Sequence, residues 1–193
     1  MFGALGLSQK IFEVRWHGRG GQGAVTAATI LAKAAISEGK WAQAFPAFGP
    51  ERRGAPVLAF TRISDSRITI RSAVYHPDVI VILDPTLTKT VDVKSGLKED
   101  GIAIFNSTKK PLDIKNELNI LGKIATVDAT KIAVETLGKP ISNTAILGAF
   151  VKAVGIVKID SMIDATKEIF AGDVDGRNAN AIKRSYEETA IED

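Results

Sequence analysis

The sequence predicts an α/β domain with a Rossmann-like start: a mostly parallel sheet, helices on both faces, and some antiparallel strands. Three observations carry this. Near the N-terminus a run of β-formers feeds a glycine-rich turn that opens an apolar helical pattern. Later apolar strands alternate with helical segments, as parallel sheets require. The stretch from Phe45 to Arg71 breaks the alternation, so antiparallel strands are expected there.

Ile11 to Trp16 alternates and is rich in β-formers, giving strand one. From Ala24 to Glu38, Val25, Ala28, Leu31, Ala32, Ala35 and Ile36 fall near helical spacing, and Gly39 can end the helix. Trp41 to Phe48 is apolar but holds Pro46, so its strand is short or at an edge. Gly49 to Gly54 is a loop. Pro56 to Ile63 and Arg67 to Arg71 read as a hairpin turning at Ser64-Asp65-Ser66. Val79 to Leu83 is a continuous apolar run ending in Asp84-Pro85, the pattern of a buried parallel strand. Short strands follow at Ile102 to Phe105 and Lys123 to Val127. Helical patterns cover Ala129 to Leu137, Asn143 to Val154, Ser161 to Phe170 and about Val174 to Glu188. Residues 1–10 read as a loose leader and 11–193 as a single domain.

Composition excludes several function classes. The chain has no cysteine, so it offers no disulfide framework, no cysteine nucleophile and no thiolate to hold an iron–sulfur cluster. Two histidines are too few for a typical histidine-rich zinc site. A net charge of +3 does not argue for nucleic acid. No apolar run approaches a membrane span, and the first ten residues lack a basic n-region, so a cytoplasmic protein is expected.

The strongest motif is the turn H-G-R-G-G-Q-G, in which Gly18, Gly20 and Gly23 satisfy G-x-G-x-x-G and Gly21 adds a fourth glycine. Between strand and helix this makes an anion site: backbone N–H groups approach closely, and the helix N-terminus adds partial positive charge. A phosphate is the natural occupant. A dinucleotide also needs an acid at the end of the second strand for its ribose, and 41–46 holds none. Glu38 lies at the helix end, where it points the wrong way. No G-K-[ST] follows, which disfavours a Walker-type ATPase. Close strand–helix packing is the bland explanation, but Arg19 and Gln22 are not needed for packing.

A second candidate is Gly49-Pro50-Glu51-Arg52-Arg53-Gly54. Adjacent arginines on a Gly- and Pro-bracketed loop can grip phosphate or carboxylate in a fork; a solvated loop is the ordinary alternative. Trp41, Phe45 and Phe48 before it could floor a pocket, and core packing suits at least one. Asp84 and Asp128 sit at carboxyl ends of strands, where ligands of open sheets gather, although Asp128 reads first as an N-cap. Asn143 is a plausible N-cap with ligand contact as the sharper alternative. His76 reads as structural. No catalytic triad, paired carboxylates or metal cluster stands out.

The segments H-G-R-G-G-Q-G-A-V-T-A-A (17–28), F-G-P-E-R-R-G-A-P-V (48–57), V-I-V-I-L-D (79–84) and N-T-A-I-L-G-A-F (143–150) occur in that order. Together they resemble the gamma subunit of the 2-oxoacid:ferredoxin oxidoreductases, the pyruvate enzyme above all, over nearly the whole chain from Ile11. The resemblance implies a subunit of a multi-subunit enzyme, a heterotetramer with alpha, beta and delta partners. That enzyme converts a 2-oxoacid and coenzyme A into acyl-CoA, CO2 and reduced ferredoxin. Thiamine diphosphate and the Fe–S clusters would lie on partner subunits. On this chain it implies CoA binding by Gly18, Arg19, Gly20, Gly21, Gln22 and Gly23, with Glu51, Arg52, Arg53 and Asn143 as further contacts. No catalytic residue and no metal ligand is implied here. A purely structural assembly role, or the gamma subunit of another 2-oxoacid enzyme, remains the alternative.

Overall fold

The structure is a computed structural model that describes residues 10–47, 54–173 and 175–193. Along the chain run β1 (Phe12–Arg19), α1 (Ala24–Ser37), β2 (Trp41–Pro46), β3 (Pro56–Ser64) and β4 (Val79–Ile82). A 3-10 turn (Pro85–Lys89), β5 (Ile102–Asn106), α2 (Pro111–Leu118), β6 (Lys123–Val127) and α3 (Ala129–Leu137) follow. The chain ends with α4 (Ala145–Val154), α5 (Ile159–Ile169), α6 (Arg177–Glu188) and β7 (Ala190–Glu192). The leader, up to residue 9, lies outside the described residues.

One sheet holds all seven strands in the order β2-β3-β1-β4-β5-β6-β7. β1, β4, β5 and β6 are mutually parallel; β3 is antiparallel to both β1 and β2, and β7 to β6. β2, with its proline, is an edge strand, as Pro46 requires. β4, buried on both faces, reads as the unbroken run Val-Ile-Val-Ile.

The period-2 alternation divides the strands between two cores. Val14, Trp16, Ala59, Ile63, Val79, Val81, Ile104 and Ala125 face α1 and the packed helices α3 to α6. Ile80, Ile82, Phe105 and Ile124 face α2 and the stretch that follows β4. Helices therefore cover both faces, most of them on the first. Trp16 anchors the larger core. It stacks on Phe150 at 5.7 Å between centroids, and its indole N–H donates to Thr61 Oγ1, whose hydroxyl donates to Ala28 O. One side chain thus ties β1, β3, α1 and α4 together.

The expected hairpin partner at 67–71 is not a strand. The carbonyls that a ladder would use accept side-chain donors instead: Gln43 Nε2 donates to Ile68 O, and Arg62 donates to Ile70 O and Ala73 O. β3 takes its antiparallel partners from β1 and β2. Asn143 is not a helix cap either; α4 begins one residue later, Thr144 holds the N-cap position, and no side chain caps it. Asp128 is an N-cap, accepting from the Lys131 N–H at 2.9 Å.

Candidate functional site

The glycine turn lies at the carboxyl end of β1, where the parallel strands also present Asp84 and Asn106. Gly23 stands at the N-cap of α1 with φ +79° and no side-chain cap. Among the described residues, the N–H groups of Gly21, Gly23, Ala24, Val25 and Thr26 find no protein acceptor, while the Ala27 N–H closes the first helical turn onto Gly23 O. They form an open row of donors at a helix N-terminus.

The turn is held from outside itself. Gly20 N–H donates to Ala55 O and Gly54 N–H donates to Gly20 O, both near 3 Å. Arg19 donates through Nε to Asp84 Oδ2 at 2.7 Å, through Nη1 to Gly54 O at 3.1 Å and through Nη2 to Thr86 Oγ1 at 3.0 Å. Gln22 Oε1 accepts from Arg19 N, and its Nε2 donates to Asp84 Oδ2. Burial opposes the Asp84 charge, but the hydroxyl and N–H of Thr86, Arg19 and Gln22 outweigh it and hold the carboxyl below its usual range. Asp84 is therefore the anionic post to which the turn is tied. Arg19 has five N–H donors and uses three of them among the described residues, at the partly exposed rim of the turn.

Asn143 comes to the same place from far along the chain. It is 5% exposed, and a Cβ built on Gly23 would lie 2.5 Å from its Nδ2. The structure thus brings Gly18 to Gly23 and Asn143 together. Glu51, Arg52 and Arg53 lie outside the described residues; the residue after them, Gly54, pairs with Gly20. Glu38 is far from the turn in role: its carboxylate accepts the Lys158 N–H at the start of α5.

Sequence reasoning passed over Asn106. Its Nδ2 donates to Leu83 O and Thr130 Oγ1, both at 2.8 Å, and its Oδ1 accepts Thr130 N–H at 3.1 Å. It pins β4, β5 and α3 around the crevice. The only available signal was an asparagine at a strand's end. Of the aromatic run, Phe45 packs on Phe60 at 5.2 Å while Trp41 is half exposed at the edge. Phe48 is outside the described residues. Among the described residues no group of three or more potential metal ligands gathers, and no helix is long and apolar enough to cross a membrane.

The fold and this turn match known proteins. Residues 13–188 match the model of the family described as pyruvate ferredoxin/flavodoxin oxidoreductase. The chain belongs to this family. It is 57% identical over 182 residues to the pyruvate/ketoisovalerate oxidoreductases common subunit gamma of Pyrococcus abyssi, covering 94% of this chain and 98% of that protein. It is 54% identical over 180 residues to the pyruvate synthase subunit PorC of Methanothermobacter thermautotrophicus, covering 92% and 96%. The crystal structure of the pyruvate oxidoreductase subunit PORC of Thermotoga maritima superposes with a TM-score of 0.84 at 40% identity, over 96% of this chain and all of that one. The sheet order and helix placement are thus those of an oxidoreductase subunit family.

Proposed function

We propose that this chain is the gamma subunit of an enzyme that oxidatively decarboxylates pyruvate with CoA, giving acetyl-CoA, CO2 and reduced ferredoxin, and that its turn cradles the CoA phosphates. The observation that carries the second part is the open row of N–H donors at the start of α1, flanked by an arginine that uses three of its five donors among the described residues. Preorganisation by Asp84 and Gln22 spares the ligand the cost of ordering the turn.

The chain's own chemistry is positional. With no cysteine it cannot hold a thiolate-ligated cluster, so electron transfer belongs to partner subunits, as does the thiamine diphosphate. Alpha, beta and delta chains are the expected partners and ferredoxin the acceptor. Purified alone, the chain should not oxidise a 2-oxoacid; added to its partners, it should restore the activity. In the assembled enzyme Arg19→Ala, or Arg52→Ala with Arg53→Ala, should raise the KM for CoA by about tenfold or more. The KM for pyruvate should hardly move.

An assembly role has one observation in its favour: Arg19 is bound on three sides within its own chain. That reading expects equal changes in both KM values, or loss of the complex itself.

A further inference from the structure

The face of β1 turned away from α1 carries charge where a buried sheet face usually carries aliphatic side chains. Glu13, Arg15 and His17 alternate along it. Arg15 and His17 are 7% and 4% exposed, and both line a cavity of about 360 Å3 on that side of the sheet. Leu58 of β3, with Leu87 and Val91, gives the cavity an apolar lining, and the exposed Asp92 stands at its rim.

The hydrogen bonds fix which donors are left over. Arg15 Nε donates to His17 Nε2 at 3.0 Å, and Nη2 spends both its protons on the carbonyls of Val93 and Ser95. Nη1 donates to no acceptor among the described residues. Because Nε2 accepts, the neutral imidazole carries its proton on Nδ1. That N–H likewise meets no acceptor among the described residues. Nor does any carboxylate among them pair with Arg15; Asp92 favours its charge only from a distance. A buried cation without a counter-ion is costly, and so is a buried donor without an acceptor. One anion relieves both. The apolar lining suits an anion with an apolar end, and the Asp92 charge at the rim disfavours a second negative charge. A monocarboxylate with a short aliphatic tail meets every condition: one charge, two acceptor oxygens and an apolar end.

We propose that this cavity binds a short-chain aliphatic monocarboxylate, its oxygens accepting from Arg15 Nη1 and His17 Nδ1 and its tail lying against Leu58, Leu87 and Val91. The site shares no residue with the glycine turn. The test is a titration of the full chain with sodium isobutyrate at constant ionic strength, followed by the His17 imidazole NMR signal, with sodium chloride as the blank. The signal should move and saturate with a Kd on the order of 1 mM. Acetate, shorter by two carbons, should bind about tenfold more weakly, and the phosphate dianion at least about tenfold more weakly. Arg15→Gln should abolish the saturable response. Because Arg15 is buried and that variant can fail to fold, Asp92→Asn at the exposed rim supplies the second arm: it should tighten isobutyrate about twofold to threefold. A signal that never saturates, an equal response to sodium chloride, or acetate or phosphate binding as tightly as isobutyrate overturns the assignment. So does a folded Arg15→Gln that still binds, or an Asp92→Asn affinity no tighter than that of the unsubstituted chain.

Discussion

Lowering the pH from 7.5 to 4.5 should destabilise the folded chain through His17, and the structure gives the size. β1 points His17 away from α1, 4% exposed, with Nε2 accepting from Arg15 Nε at 3.0 Å. That geometry requires Nε2 unprotonated, because the guanidinium can only donate. Arg15 cannot swing away: its Nη2 donates to Val93 O and Ser95 O. Burial, and then the Arg15 charge, push the imidazole down to about 3 from an ordinary 6.5. The unfolded chain binds this proton near 6.5 and the folded chain near 3, so the neutral state's contribution is complete above 6.5 and is lost as pH falls toward 3. The slope is about 1.4 kcal/mol per pH unit, or on the order of 3 kcal/mol between 6.5 and 4.5. Urea denaturation of the chain and of His17→Gln at four pH values isolates it, since the difference between the two curves removes every other titrating group. With only two histidines, imidazole NMR assigns the resonance directly. Parallel stability curves, or a His17 resonance titrating near 6.5 in the folded state, would refute the argument.

Two glycines give sharper tests of packing. A Cβ on Gly148 would sit 2.1 Å from Ile182 O and 2.7 Å from Tyr186 N, where α4 crosses α6. Gly148→Ala should therefore cost about 1–3 kcal/mol or more in urea, because neither contact is a side chain that can move aside. Gly23→Ala combines a left-handed backbone with a clash on Asn143. A loss of about 1–3 kcal/mol is expected, with a raised KM for CoA in the assembled enzyme, measured by melting and by kinetics.

Several elements were legible because local rules suffice for them. β6 and α3 fall where the β-branched run, the Asp128 cap and the apolar spacing put them. α1 opens at Ala24, right after the glycine turn, for the same reason. The elements that escaped depend on distant partners. β7 has three residues and exists through pairing with β6. α2 buries only Pro111 and Ile114, too thin a stripe to announce a helix. The 67–71 segment has β-forming residues, yet Arg62 and Gln43 capture the carbonyls around it. Arg19 and Gln22 stood out as side chains a packing turn would not need. Both in fact grip Asp84, more than 60 residues away, a contact that no spacing rule reveals.

By itself the sequence determined the α/β class, the strand–turn–helix that exposes backbone donors, and the absence of any thiolate for redox chemistry. Those follow from side-chain period, glycine's backbone freedom and a count of cysteines, all properties of neighbouring residues or of composition. Only the tertiary structure decided what surrounds the turn: Asp84 as its anchor and Asn143 against Gly23. Each of these joins segments 60 to 120 residues apart, and such proximity is set by how the sheet orders its strands rather than by any local preference.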